Sequence, residues 1–122
     1  WFKVVEYDFR SAEIEAEHGR YRSCAFWCQQ AVEKTLKALL EYYERPMPVH
    51  DVFKLSNKLR LPLEDWQSEL LKRLGKLYTE SRYDFDLDID ESPMAAVESD
   101  RLLKTSKEFM QWARKQNKSP IA

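Results

Sequence analysis

The stretch Gln29–Leu40, which reads QQAVEKTLKALL, decides the fold that we predict for this chain. Its apolar residues recur every three or four positions, which is the period of one face of an α-helix. The stripe extends back to Cys24 and forward to Tyr43, and a second apolar set beside it widens the surface. We therefore predict a long central helix, over residues 21–44, that other helices contact on more than one side.

Four further helices are expected to surround it. Apolar spacing predicts a first helix over residues 3–17, which Gly19 ends, and a short helix over 51–60 after the prolines at 46 and 48. Pro62 and the acids after it indicate the start of a fourth helix that lasts to about residue 81. Ser92-Pro93 indicates the start of the last helix, over 93–115. The residues expected to face inward from these four helices are Val5, Phe9, Ala12, Ala16, Val52, Leu55, Leu59, Trp66, Leu70, Leu74, Leu77, Val97, Leu102, Ser106, Phe109 and Ala113.

The length and composition favour a single all-α domain over residues 1–122, with 116–122 as a frayed tail. A chain of 122 residues with 43% hydrophobic content can bury one core without disulfides or a structural metal. Only two glycines and five prolines are present, so few positions can interrupt a helix. We predict an antiparallel up-and-down bundle of four long helices plus one short helix.

The charges and cysteines exclude several classes of protein. Twenty basic and 21 acidic residues leave a net charge of −1, so any contact with nucleic acid must come from a local patch. No apolar run is long enough to span a membrane, and the spacing of Cys24 and Cys28 on one helix disfavours a disulfide. Free thiols are typical of a cytoplasmic protein. No cofactor or metal is predicted: glycines for a phosphate loop and ligands for zinc are missing, and the acidic run 84–91 lacks the pattern of a calcium loop.

Two polar elements are candidates for function. His50-Asp51 offers a histidine beside a carboxylate, which suits a general base or a phosphate contact. The competing interpretation is that Asp51 caps the next helix and His50 packs in the preceding turn. The element 78–84 places Arg82 near tyrosines, which suits phosphate and base recognition, although Arg82 also has nearby carbonyls and acids to pair with. The alternating acidic and apolar run 84–91 suits an extended segment that docks on the bundle or on a partner.

The order of these elements resembles the HEPN domain (higher eukaryotes and prokaryotes nucleotide-binding). The family pattern has an aspartate in its first helix, as Asp8 here, and a glutamine-rich second helix that resembles residues 26–40. The His-Asp element resembles residues 50–55, and a Tyr-x-x-x-Arg-Tyr element resembles 78–83. The resemblance covers residues 7–112 and implies a helical bundle that often forms a homodimer and works beside a minimal nucleotidyltransferase.

Many HEPN proteins are ribonuclease toxins that use a late Arg-x4–6-His motif, and this chain departs from that pattern. No histidine follows Arg82, because His18 and His50 are the only two in the chain. Arg45 and His50 match the spacing formally, but Pro46 follows the arginine and the pair lies early in the chain, so we treat the match as coincidence.

The resemblance and this departure together predict a non-catalytic module that binds a nucleotide or RNA and acts with a minimal nucleotidyltransferase partner. Arg82 and Lys34 are expected to contact phosphate, and Tyr83 and His50 the base or sugar, with Asp51 in the same pocket. The alternative is a metal-independent endoribonuclease toxin of a toxin–antitoxin pair. The missing late histidine argues against that alternative.

Overall fold

The computed structural model describes residues 2–83 and 93–116, with side chains except at 78–83 and 93–94. Five α-helices form this part of the chain: α1 (Phe2–Glu17), α2 (Tyr21–Tyr42), α3 (Val52–Lys58), α4 (Asp65–Tyr83) and α5 (Pro93–Gln116). The prediction of an all-α bundle with four long helices and one short helix is confirmed. Pro62 precedes α4 and does not lie in its first turn as expected. The acidic run 84–91 and the tail 117–122 lie outside the described residues.

Helix α2 is the centre of the molecule. It packs against each of the other four helices, and the residues it buries lie on more than one of its faces. Cys24, Cys28, Ala31, Val32 and Leu36 are fully inaccessible to solvent. The prediction of a central helix contacted on several sides is therefore confirmed.

The end of α2 determines where the next segment runs. Glu44 adopts a left-handed backbone conformation with φ 57°, and the Arg45 N–H donates to the Leu40 carbonyl at 2.8 Å. This is the turn that commonly ends a helix, although glycine is the usual residue at such a position. The chain then runs back beside α2, where the Gln29 side chain donates to the His50 carbonyl at 3.4 Å.

Two residues expected in the core lie at the surface. Trp66 is 38% exposed and Val97 is 56% exposed, and both line a groove between α4 and α5. These two helices contact each other over only a short length, so the apolar stripe of each helix is covered incompletely. The helical period identified the correct faces, but it carries no information on how closely two helices approach. None of the helices in the described part of the chain combines the length and apolar character that crossing a membrane requires.

Candidate functional site

Lys34 lies at the interface between α1 and α2. Its ammonium group donates to Oδ2 of Asp8 at 2.5 Å, and Asp8 is only 3% exposed. A buried carboxylate needs a charged or hydrogen-bonding partner, and Lys34 provides it. The structure thus places Lys34, which the sequence assigned to phosphate binding, against α1.

Glu33 is the neighbour of Lys34, but its side chain belongs to a different cluster. The carboxylate is 4% exposed and accepts from Nε2 of Gln29 at 3.1 Å. Its second oxygen lies 3.4 Å from the Lys37 ammonium and 3.3 Å from Nδ1 of His50. Gln29, Glu33, Lys37 and His50 therefore form one polar network, which we call the Glu33 cluster.

The His50 ring connects this cluster to solvent. Its Nδ1 lies 3.3 Å from both the Glu33 carboxylate and the Lys37 ammonium. In a neutral ring Nδ1 either donates to Glu33 or accepts from Lys37, and it cannot do both. The side chain is 61% exposed, and no described residue forms a hydrogen bond with Nε2. Nε2 is therefore the ring nitrogen that a ligand can reach.

Asp51 forms the N-cap of α3. Its Oδ1 accepts from the Phe53 N–H at 2.9 Å and from the Lys54 N–H at 3.1 Å. This geometry agrees with the capping interpretation. The carboxylate that contacts His50 belongs to Glu33, which lies 17 residues earlier in the chain. Sequence reasoning missed this partner, although an acidic residue on the buried side of an amphipathic helix is a signal that a polar partner must be present.

His50 and Asp51 line a cavity of about 560 Å³ between the start of α3 and the middle of α4. Its other main lining residues are Phe53, Lys72, Gly75 and Lys76, and we call this cavity the His50 groove. The Lys72 ammonium stands 5.7 Å from the centre of the Phe53 ring.

Gly75 adds open space to this groove. It presents no side chain, and a Cβ atom built there would meet nothing within 4 Å. The two lysines were not predicted, although they are four residues apart, with Gly75 between them, and this spacing could have identified a basic face.

The last turn of α4 carries the remaining predicted site residues. Arg82 and Tyr83 lie at the C-terminal end of this helix, and their side chains are outside the described part of the structure. Position 83 is eleven residues, or about three helical turns, after Lys72, so it lies on the face that carries the two groove lysines. Of the residues discussed, the structure brings His50, Asp51, Lys72 and Lys76 to one cavity, and the lining of this cavity does not include Lys34.

Two other cavities have less suitable charges for an anion. The groove between α4 and α5 has about 520 Å³, and Arg73 forms an ion pair with Glu98 within it. A third cavity of about 750 Å³, beside residues 46–48, is lined by two acids, Glu41 and Glu44, and by one base, Lys37. Carboxylates facing a cavity repel phosphate, so the His50 groove is a better candidate for a phosphate site than either of these two cavities.

Cys24 and Cys28 are free and fully buried. A hydrogen bond with Cys24, together with burial, raises the pKa of the Cys28 thiol. Such a thiol is a poor nucleophile near neutral pH. In the described part of the chain, no group of three or more His, Cys, Asp or Glu residues is placed to hold a metal ion.

Comparisons with known proteins place this geometry in a family. The model of the HEPN domain matches residues 1–116 of the chain. A solved structure, described as the crystal structure of an archaeal HEPN homologue, is 25% identical. It superposes with a TM-score of 0.75 over 97% of this chain and 95% of its own. A search of curated proteins found no match. Because the family model covers nearly the whole sequence, the chain belongs to the HEPN domain family.

Proposed function

We propose that this protein is a non-catalytic HEPN module that binds the phosphate groups of a nucleotide or a short RNA in the His50 groove. One observation carries the proposal: His50, Lys72 and Lys76 line a single cavity, and Asp51 is the one carboxylate among the described residues that line it. That carboxylate already accepts two backbone N–H groups of α3, so it competes little with a phosphate for the cations. In this arrangement the lysines contact phosphate and Nε2 of His50 contacts the sugar or base.

The proposal redistributes the roles that the sequence assigned. Lys72 and Lys76 take the phosphate contact expected of Lys34, because these two lysines line the His50 groove and Lys34 does not. Arg82 and Tyr83 remain proposed ligand contacts at the far end of α4.

The non-catalytic assignment is supported by the sequence. No histidine follows Arg82, and the late arginine–histidine pair used by ribonucleases of the family therefore cannot form. The formal early match also gains no support, because no hydrogen bond or ion pair joins the described side chains of Arg45 and His50. We propose that the module acts in the cytoplasm as a homodimer with a minimal nucleotidyltransferase, instead of cutting RNA as the toxin of a toxin–antitoxin pair.

Calorimetric titration with ATP, GTP and a short single-stranded RNA tests ligand binding. We expect binding that weakens as salt rises, because each phosphate contact releases counterions. Lys72→Ala and Lys76→Ala should each weaken binding roughly tenfold or more, since a hydrogen bond to a charged group contributes about 1.5–3 kcal/mol. Lys104→Ala, at an exposed lysine of α5, is the matched control and should bind normally.

Three outcomes contradict parts of the proposal. No heat with any ligand would leave only an interaction role. Binding that Lys72→Ala and Lys104→Ala weaken equally would place the ligand elsewhere. Cleavage of the RNA by wild-type protein, abolished in His50→Ala, would refute the non-catalytic assignment.

The nucleotidyltransferase partner is tested separately, by co-expressing the product of a neighbouring reading frame of that type and measuring whether the two proteins copurify.

A further inference from the structure

The described side chains that line the His50 groove divide into donors and acceptors of hydrogen bonds. Lys72 and Lys76 carry ammonium groups, which donate hydrogen bonds and accept none. The side chains that can accept belong to two adjacent residues, His50 and Asp51. Because the lysines suit the phosphates of a ligand, the two acceptors are left for a different part of it.

The Asp51 carboxylate has one oxygen that the fold does not use. Oδ1 accepts both backbone N–H groups of the α3 cap, from Phe53 at 2.9 Å and from Lys54 at 3.1 Å. Oδ2 forms no hydrogen bond within the described part of the chain. An ionised carboxylate accepts hydrogen bonds and donates none, so Oδ2 can bind a ligand only through a donor of that ligand.

The Glu33 carboxylate determines which nitrogen of the His50 ring is left as an acceptor. It lies 3.3 Å from Nδ1 and can only accept from the ring. Lys37 lies equally close to Nδ1, but it has the same carboxylate as its own acceptor at 3.4 Å. We therefore expect the proton of the neutral ring on Nδ1, and Nε2 then accepts a hydrogen bond from a ligand.

We propose that these two acceptors, Nε2 of His50 and Oδ2 of Asp51, recognise the base of the nucleotide and select guanine. Among the four common bases of RNA, only guanine presents two adjacent donors on its pairing edge, the N1–H and the 2-amino group. The other three bases would bring an acceptor of their own against one of the two protein acceptors, and both would then lack a hydrogen bond. The assignment rests on the proposed function, because the lysines hold the phosphates of the same ligand.

Phe53 supplies a surface for the plane of the base. Its ring lines the same groove, and its backbone N–H donates to Asp51, so the ring and the carboxylate lie at the same end of α3. The Lys72 ammonium stands 5.7 Å from the ring centre, near the outer limit of about 6 Å for a cation–π contact, so a phosphate can draw it away. Every base can stack on an aromatic ring. Phe53 therefore adds affinity, whereas His50 and Asp51 determine which base binds.

Calorimetric titrations at about pH 8, where imidazole is neutral, test the choice of base. Wild-type protein should bind GTP about ten- to 100-fold more tightly than ATP, since a correctly paired base edge gives discrimination of this order. Inosine triphosphate, which differs from GTP only in lacking the 2-amino group, should bind with intermediate affinity. Inorganic tripolyphosphate measures the contribution of the lysines alone and should bind more weakly than GTP.

Asp51→Asn is the decisive variant, because asparagine caps a helix as well as aspartate does. It keeps an oxygen for the Phe53 and Lys54 N–H groups and replaces Oδ2 with an amide donor. The GTP-to-ATP affinity ratio should fall about tenfold, while the circular dichroism stays unchanged. The ratio is the readout because losing a negative charge strengthens the binding of every phosphate ligand alike.

Two further variants separate the contributions of the other groups. Glu33→Gln weakens the preference for a proton on Nδ1 of His50, so it should also lower the GTP-to-ATP ratio. Phe53→Ala is the matched control on the same helix: it should weaken GTP and ATP to the same extent and leave their ratio unchanged.

The outcomes distinguish this assignment from the proposed function. Equal affinities for GTP and ATP in the wild-type protein, or an unchanged ratio in Asp51→Asn, would overturn the selection of guanine while the phosphate site stands. If the 2′-deoxy forms of both nucleotides then bound more weakly, the acceptors would contact the sugar instead. Equal binding of GTP and inosine triphosphate would also refute recognition by two acceptors. No binding of any of these ligands would refute both proposals.

Discussion

Glu33 and Lys34 are adjacent in the sequence, but their side chains contact different parts of the molecule. Lys34 reaches across to Asp8 of α1, and this pair is largely enclosed, with side-chain exposures of 24% and 4%. The Glu33 side chain is buried to the same extent as that of Asp8, yet its carboxylate contacts His50, whose side chain is 61% exposed. The first pair is closed between two helices, whereas the second ends at the surface of a cavity.

This difference shows how one turn of a helix can hold the fold and also prepare a site. Consecutive residues of an α-helix point about 100° apart, so Glu33 and Lys34 leave α2 toward different neighbours. A closed pair contributes mainly to the joining of α1 and α2. An anchored but exposed histidine is useful because its orientation is fixed while one nitrogen stays accessible. Substitutions on the two sides should therefore have separable effects on stability and on the site.

The largest effect is expected from breaking the closed pair. Lys34→Met leaves the Asp8 carboxylate buried without its charged partner, which should lower the free energy of unfolding by about 3 kcal/mol. Adding Asp8→Leu should recover most of this loss, because replacing both charges removes the penalty of the unpaired one. Urea denaturation of the two variants measures both effects. Arg10→Met is the control: Arg10 lies on α1, as Asp8 does, but its ion pair is exposed, so this change should alter stability by less than about 1 kcal/mol.

A loss of stability in Lys34→Met no greater than that in Arg10→Met would mean that the Lys34–Asp8 pair does not stabilise the contact between α1 and α2. A combined variant that is less stable than the single one would show that Asp8 has another essential partner.

An intermediate effect is expected on the open side. Glu33→Gln keeps the shape of the side chain and an acceptor for Gln29, but it removes the charge that faces His50 and Lys37. We expect a loss of about 1.5 kcal/mol in unfolding free energy, which is the lower end of the range for a hydrogen bond to a charged group, because the His50 side chain is largely exposed. The more specific result concerns the His50 ring. In wild-type protein Nδ1 should carry the proton, and in Glu33→Gln this preference should weaken.

Nitrogen-15 NMR of the imidazole distinguishes these two ring forms. The control is His18→Gln, which removes the only other histidine of the chain and identifies the His50 signals. If the protonated nitrogen of His50 is the same in wild-type and Glu33→Gln protein, Glu33 does not orient the ring.

The helices were predictable because their signals are local. Apolar period, Gly19 and Pro93 indicated helix bounds that agree with the structure to within about three residues, since each depends on the backbone of a few neighbouring positions. The exposure of Trp66 and Val97 was not predictable. It depends on the distance between α4 and α5, which no spacing within either helix encodes.

The candidate site was predictable only in part, for the same reason. His50-Asp51 was identified, but Asp51 was considered as the neighbour of the histidine, while the contacting carboxylate comes from Glu33 on another helix. The groove lysines come from α4 and meet His50 only through the fold. Contacts between distant segments require the packing of α2, α3 and α4, which the sequence pattern alone does not supply.

The smallest effect is expected from Lys37→Met. This variant shows whether the Lys37 ammonium donates to His50 or to Glu33 in the Glu33 cluster. Lys37 lies 3.3 Å from Nδ1 of His50 and 3.4 Å from the Glu33 carboxylate, so the distances alone allow it to donate to either. A buried carboxylate gains more from two donors than a neutral ring nitrogen gains from one, and we therefore expect both Lys37 and His50 to donate to Glu33. Lys37→Met should then cost about 1 kcal/mol, because Gln29 and His50 still donate to the Glu33 carboxylate, and it should leave the proton of His50 on Nδ1. Urea denaturation and the same nitrogen-15 spectra measure the two results. A proton that moves from Nε2 in wild-type protein to Nδ1 in Lys37→Met would show instead that the lysine, and not the carboxylate, orients the ring.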